Sequence, residues 1–331
     1  MFVKGDNLQN SPIKHYRSLS FKALWQNPGY ADWQKVYKGP YYGFGLSMGD
    51  FGNPSEIGYP VSLYGVLGIP IVRQKKLELF TEIQFGIANN WRYYNPITNP
   101  KNFAVGGAFT LHLDLGLKMF YSVSPKFDLG FGMSFIHFSN GGLKRPNHGL
   151  NIYSPLAELR YRFAPRPDYK NIQKPTKMEK SRDILFMRVG SVHQLAEFEP
   201  DSNYFAIFGY SIIVFDQISN AVRLGVGRDM NYWWGMTANT DGTMGARSIE
   251  NLSVGYIFQP EMIIGKLTLV GGIGIYAKHL LYGDFKQTYQ RLGVRFDIYK
   301  TFSLGVNVRA INFSQAEFME FNLGYKLQWF R

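Results

Sequence analysis

The stretch FTLHLDLGLKMFY, residues 109–121, alternates apolar and polar side chains along almost its whole length. Residues two apart point to the same side of a β-strand. One side of this segment carries Phe109, Leu111, Leu113, Leu115, Leu117, Met119 and Tyr121, and the other carries Thr110, His112, Asp114, Gly116 and Lys118. The sequence therefore predicts a long strand with one hydrocarbon-like face and one wet face.

The same alternation recurs from about residue 40 to the end of the chain. The predicted strands lie near residues 40–48, 59–70, 76–88, 107–121, 126–139, 150–163, 183–194, 203–215, 220–229, 249–258, 265–277, 289–299, 301–311 and 316–330. A soluble sandwich rarely sustains so many long strands. Glycine and charged residues on one face, with an apolar opposite face, are typical of a membrane barrel. The pattern predicts an all-β, antiparallel outer-membrane barrel of about fourteen strands, with twelve or sixteen as alternatives.

Connection lengths agree with this fold class, because outer-membrane barrels have short periplasmic turns and longer outer loops. Short and long connections alternate along most of the chain. The exception is residues 164–182, a Lys-rich and Pro-broken segment that we interpret as a periplasmic linker. It separates residues 40–163 from the strands of 183–331 within one predicted transmembrane barrel, 40–331. Residues 1–39 alternate poorly and are predicted to form an N-terminal extension or plug.

Composition indicates the cellular compartment of the protein and the class of its binding partner. No apolar run reaches the roughly 18 residues that a membrane helix requires, so helical spanning is excluded. The chain has no cysteine and a formal net charge of +12. In a barrel this charge favours anionic lipid over nucleic acid, which is not an expected partner. The first residues lack the apolar core of a signal peptide, and we expect a mature protein of the bacterial outer membrane whose export signal was removed and Met1 added.

The segment FGMSFIHFSNGGLKRPNHGLN, residues 131–151, carries the candidate chemistry. His137 and Ser139 share strand parity with Phe131, Met133 and Phe135, so they belong to the apolar face. A histidine beside a serine is costly there unless the two are hydrogen-bonded and used. Asn151 lies at the start of the next predicted strand and has the parity of that strand's outward face, so it points to the same side as His137 and Ser139. A strand end at the membrane interface, where polar residues are common, is the competing explanation.

These residue types fit an esterase. A serine hydroxyl needs a neighbouring base, and the base needs an orienting group. Ser139 would be the nucleophile, His137 the base and Asn151 the orienting residue. The oxyanion would bind to Asn147, Asn140 and the backbone of Gly141. The loop cations, which would contact substrate phosphate, are Lys144 and Arg145. No cofactor is implied, and no metal site is expected because His112 and His148 lack partners at ligand spacing.

The segment HFSNGGLKRPNHGLN also resembles the active-site segment of PagL-type lipid A 3-O-deacylases. That family consists of outer-membrane barrels that remove an ester-linked acyl chain from lipopolysaccharide. The resemblance implies that His137 is the base, Ser139 the nucleophile and Asn147 an oxyanion donor. The family's acidic orienting residue falls at Asn151, whose amide cannot stabilise an imidazolium by charge. The resemblance covers about residues 40–163, which leaves 183–331 as additional strands.

A second function class remains open at this stage. An outer-membrane channel, or a solute- or lipid-binding barrel without catalysis, would use the charged inner face. That face includes Glu82, Asp114 and Arg295. Paired charges would instead close the lumen, and we favour a closed lumen slightly. The leading interpretation is a lipid A deacylase that acts from the lipid-facing surface.

Overall fold

The protein is almost entirely β-structure. The computed structural model describes residues 13, 15–27, 29–167, 169, 172–176, 181–194, 204–234, 249–279, 287–313 and 315–330. Within these residues there is one short helix, α1 (Asp32–Val36), and one 3-10 turn, Ile249–Asn251. No helix in this part of the chain has the length and apolarity to cross a membrane.

The first seven strands form one antiparallel sheet in chain order. They are β1 (Arg17–Gln26), β2 (Tyr41–Asp50), β3 (Gly58–Arg73), β4 (Leu77–Trp91), β5 (Thr110–Ser122), β6 (Phe127–Ser139) and β7 (Leu150–Tyr161). The sheet is strongly curved, because Lys22 of β1 lies 2.9 Å from Glu158 of β7 across the interior. Two cations of this interior, Lys22 and Lys118, also pair with Glu82.

The remaining strands form a closed antiparallel barrel. They are β8 (Ser181–Gln194), β9 (Tyr204–Gln217), β10 (Val222–Trp233), β11 (Leu252–Ile264), β12 (Leu267–Lys278), β13 (Thr288–Tyr299), β14 (Phe302–Ile311) and β15 (Gln315–Phe330). The barrel closes where β15 pairs with β8, from Phe321 opposite Gly190 to Phe330 opposite Ser181.

Eight strands enclose a space just wide enough for side chains. In this barrel the space holds an ion-pair cluster whose side chains are all fully buried. Arg291 binds Glu320 at 2.7 Å and Asp229 at 3.0 Å, and Arg309 binds Asp229 at 2.9 Å. The centre of the barrel is therefore filled by paired charges.

The predicted outer-membrane barrel class is confirmed, and each of the fourteen predicted segments overlaps one of the strands β2 to β15. The strand count differs: the described residues form fifteen strands, and these are divided between two sheets. The additional strand, β1, lies within residues 1–39 and pairs with β2 from Arg17 opposite Asp50 to Gln26 opposite Tyr41. Its outward face carries Leu19 and Phe21, but the inward, partly buried Leu24 breaks the alternation and hides the strand.

The division into two sheets has a local cause in residues 164–182. Prolines at 165, 167 and 175 have no N–H to continue a ladder. Arg166 and Tyr169 of this segment lie against the end of the seven-stranded sheet. Arg166 binds Asp128 at 2.8 Å, and the guanidinium carbon of Arg73 lies 3.7 Å from the ring centroid of Tyr169.

Candidate active site

The three residues predicted to perform the chemistry meet where β6 ends and β7 begins. In the antiparallel pair, His137 of β6 lies directly opposite Asn151 of β7. Side chains at directly opposite positions have Cβ atoms about 4.5–5.5 Å apart and point to the same face. Ser139 lies two residues beyond His137 on the same strand and therefore shares that face. Strand register alone brings all three side chains together.

They form a continuous hydrogen-bonded chain. His137 Nδ1 lies 2.6 Å from Asn151 Oδ1, and His137 Nε2 lies 2.9 Å from Ser139 Oγ. Since the asparagine oxygen only accepts, the ring proton belongs on Nδ1, and the lone pair on Nε2 accepts the serine hydroxyl proton. This order of hydroxyl, imidazole and orienting group is that of a serine hydrolase.

The site lies at the upper edge of an apolar wall on the outward face of the sheet. Below His137 on β6 are Met133, 52% exposed, and Phe131, 54% exposed. Neighbouring β5 contributes Leu115, 47% exposed. Ser139 itself is only 7% exposed, so its hydroxyl is sheltered while an open apolar surface leads to it. An apolar substrate chain would find a continuous path along this wall.

The loop between β6 and β7 is held by asparagine hydrogen bonds. The backbone N–H of Asn140 donates to Asn147 Oδ1 at 2.9 Å, and Asn140 Nδ2 donates to the Lys144 carbonyl oxygen at 2.6 Å. With its oxygen committed to Asn140, the Asn147 amide directs its two N–H donors away from that contact. Gly141 follows with φ of 64°, a left-handed conformation that glycine adopts easily.

Gly149 lies against the reactive pair. Its φ is 72°. A Cβ on this residue would stand 3.3 Å from His137 Cε1, 3.4 Å from Ser139 Cβ and 3.0 Å from the Phe138 carbonyl oxygen. The backbone therefore approaches the imidazole at a distance that a side chain would disturb. The sequence prediction did not include this residue, although a glycine two residues before Asn151 was visible in the motif.

A second loop supports the first. The backbone N–H groups of His148 and Gly149 donate to Phe103 and Ala104 at 3.0 Å, in the connection between β4 and β5. That connection is organised by Asn102, which is fully buried. Asn102 Oδ1 accepts from the N–H groups of Ala104 and Val105 at 3.1 and 3.0 Å, and its Nδ2 donates to backbone carbonyls. Its spacing did not distinguish it from other loop asparagines, so the sequence prediction missed it.

The two predicted phosphate ligands lie in the same loop. Lys144 and Arg145 are half-buried, and Lys144 Nζ lies 5.2 Å from the ring centroid of Tyr93. A cation over a ring face is attracted by the ring quadrupole, which fixes the lysine near the site. In the described part of the chain, no three His, Asp or Glu side chains are placed to hold a metal ion.

Comparison with protein families identifies the class. The family model described as "Lipid A 3-O-deacylase (PagL)" matches residues 19–160, and the model "Acyloxyacyl hydrolase, C-terminal domain" matches residues 182–329. The chain belongs to the PagL-type lipid A deacylase family, whose members are carboxylic-ester hydrolases acting on lipid A. Family and fold together assign it to the bacterial outer membrane.

The second match extends the resemblance seen in the sequence. That resemblance covers about residues 40–163 and does not include the additional strands of residues 183–331. The strands β8 to β15 instead correspond to a domain that accompanies the deacylase domain in this family. The first match also begins at residue 19, within β1.

Other comparisons add little. The search of curated proteins found no match. The chain is similar to an outer membrane channel from Pseudomonas putida F1, with 11% identity, 99% of this chain and 100% of that chain covered, and a TM-score of 0.21. It is also similar to the Pseudomonas putida toluene transporter TodX, with 8% identity, coverage of 95% and 87%, and a TM-score of 0.19. At such scores the likeness carries no argument about function.

Proposed function

We propose that this protein removes an ester-linked acyl chain from lipid A by a serine–histidine mechanism on the lipid-facing surface of the first sheet. The observation that carries the proposal is the hydrogen-bonded chain Ser139–His137–Asn151, with contacts of 2.9 and 2.6 Å. A hydroxyl paired with an imidazole is activated for attack on an ester carbonyl. The family assignment supplies the substrate class.

The chemistry follows from the positions of the protons. Ser139 Oγ attacks the acyl carbonyl carbon while its proton passes to His137 Nε2. The tetrahedral intermediate collapses, the ester C–O bond breaks, and His137 returns the proton to the leaving sugar oxygen. Water, deprotonated by His137 in the same way, then attacks the acyl-serine and releases the fatty acid. Asn151 accepts the Nδ1–H of His137 throughout and keeps the ring oriented.

The oxyanion is best assigned to Asn147. The backbone N–H of Asn140 and one of its amide hydrogens are already engaged in the loop. Asn140 therefore positions Asn147, whose Nδ2 group donates to the developing negative charge. The backbone N–H of Gly141 follows directly in the chain and is the candidate for a second donor.

The substrate reaches the site from the side rather than through the lumen. Lipid acyl chains lie against an outward apolar wall, and exposed Phe131 and Met133 lead directly to His137 and Ser139. The phosphorylated headgroup stays in the interface above, where the loop cations Lys144 and Arg145 meet it. This arrangement brings an ester bond near the headgroup to the height of the serine.

The test is deacylation by purified protein in detergent, with lipid A analysed by mass spectrometry. Wild-type protein should remove one hydroxyacyl chain, and Ser139→Ala should abolish the loss. The matched control is Ser134→Ala, on the same strand but buried on the inward face at 2% exposure, which should retain activity. Deacylation that continues unchanged in Ser139→Ala would remove this serine from the mechanism.

A further inference from the structure

The outward face of the closed barrel, β8–β15, contains two arginines in an otherwise apolar wall. Arg188 of β8 and Arg228 of β10 are both exposed near the middle of their strands. Their outward neighbours are Phe186, Tyr210, Ile212 and Val226, which are 39–62% exposed. A cation on the lipid-facing wall of a barrel destabilises it unless the charge is compensated. These two positions therefore need an explanation.

Among the described residues, no carboxylate compensates these two charges. Within the residues that the structure describes, neither guanidinium has a carboxylate at ion-pair distance. Each lies near one tyrosine ring directly opposite on the neighbouring strand: Arg188 is 5.9 Å from the Tyr210 centroid, and Arg228 is 5.9 Å from that of Tyr256. Such contacts orient the side chains but leave their hydrogen-bond donors available for an anion.

A groove begins at one of these arginines. It has a volume of about 780 Å³, and Arg228 and Tyr256 line it together with an apolar wall formed by Val214, Val226, Phe258 and Ile273. The depression is shallow and open to the outside, and a hydrocarbon chain lying along it would contact its apolar lining. The groove thus offers a cation at one position and hydrocarbon contacts along the rest.

The spacing of the two cations is set by the strands that carry them. Arg188 lies two strands from Arg228, and strand spacing places their Cα atoms on the order of 12 Å apart. Two guanidinium groups at this spacing suit a headgroup with two phosphates.

We propose that this surface is a second, non-catalytic binding site for a molecule of lipid A. The two arginines bind its phosphates, and the groove holds one of its acyl chains. The site lies on the barrel formed by β8–β15, so it would hold lipid A independently of the Ser139 chemistry. A lipid with two phosphates and several chains fits better than a phospholipid, which offers a single phosphate to two arginines.

The test uses Ser139→Ala protein in detergent, incubated with bis-phosphorylated lipid A and examined by native mass spectrometry. We expect two retained lipid molecules, one at each site. Combining Arg188→Gln with Arg228→Gln should weaken retention of one molecule by about tenfold and leave the other unchanged. The control Lys266→Gln removes an exposed cation from the short β11–β12 turn and should retain both molecules.

Changes in the lipid test the same site without changing the protein. Removing both phosphates from lipid A should reproduce the effect of the double substitution, and phosphatidylglycerol should be retained about tenfold less well. Lipid A retention that is unchanged in the double variant, or equal retention of phosphatidylglycerol, would overturn the assignment. If the proposed esterase site fails instead, the protein will retain a single lipid A, which the double substitution removes.

Discussion

The seven-stranded sheet and the eight-stranded barrel each have an apolar outward face, but the polar residues on the two faces are arranged in opposite ways. In the first sheet, His137, Ser139 and Asn151 satisfy one another by hydrogen bonds. In the barrel, Arg188 and Arg228 have no carboxylate partner among the described residues. A self-satisfied group of hydroxyl, imidazole and amide suits a reaction, whereas two unpaired cations suit an anionic ligand.

The interiors of the two regions both contain paired buried charges, but the cations are different. The first sheet uses lysines, with Lys22 and Lys118 around Glu82, and the barrel uses arginines, with Arg291 and Arg309 around Glu320. Both sets neutralise buried charge and fill the interior. The interiors keep the strands together, and the two proposed sites lie on the outward faces.

The largest expected effect is a difference in deacylation rate between substitutions in two serine–histidine pairs of the first sheet. His137 contacts Ser139 at 2.9 Å on the outward face, and His112 contacts Ser62 at 3.0 Å in the buried interior. His137→Gln should lower the deacylation rate by about 10³–10⁴-fold, because the base is lost. His112→Gln should retain most activity. Rates measured on lipid A by mass spectrometry would contradict the assignment if the two substitutions had equal effects.

The next prediction compares the two interiors. Glu320→Gln leaves Arg291 and Arg309 with one fewer carboxylate in a fully buried cluster, and it should destabilise the barrel by about 3–5 kcal/mol. Glu158→Gln should cost less, about 1 kcal/mol, since this side chain is 18% exposed and Glu82 still pairs with both lysines.

Unfolding midpoints in urea, read from the heat-modifiable gel shift, measure both changes. A larger loss for Glu158→Gln than for Glu320→Gln would show that the lysine cluster, and not the arginine cluster, is the more important of the two.

A smaller effect is expected from adding one methyl group beside the imidazole. Gly149→Ala places a Cβ 3.3 Å from His137 Cε1 and forces alanine into a left-handed conformation. A small displacement of the catalytic ring should lower kcat by about 10–100-fold with little change in KM. The control Gly190→Ala, where no atom lies within 4 Å of the added Cβ, should leave kcat unaltered.

The smallest predicted change is a gain. Asn151→Asp would keep the contact to His137 Nδ1, 2.6 Å in the native protein, and add a negative charge beside the imidazolium that forms during the reaction. We expect kcat to rise by about tenfold, because the transition state carries a charge that the amide cannot balance. An unchanged or lower kcat in Asn151→Asp would indicate that imidazolium stabilisation does not limit the rate.

Sequence reasoning predicted much of the site because strand parity is local. His137, Ser139 and Asn151 could be assigned to one face from their positions alone, and the structure brings them into hydrogen-bond contact. The support from Asn102 and the close approach of Gly149 were missed. They depend on a contact between two loops about 45 residues apart in the chain, and no periodic pattern reports such a contact.

The amino-acid sequence by itself determined fourteen of the fifteen described strands, their two faces and the segment of the proposed chemistry, because the direction of a side chain in a strand depends only on its neighbours. Tertiary structure decided how the strands are grouped: β1 joined the first sheet, and β15 closed onto β8, which is more than a hundred residues earlier in the chain. It also decided which charges pair, such as Arg309 with Asp229, 80 residues apart. Closure and ion pairing depend on the register of distant strands, and that register is set by how side chains fill a shared interior.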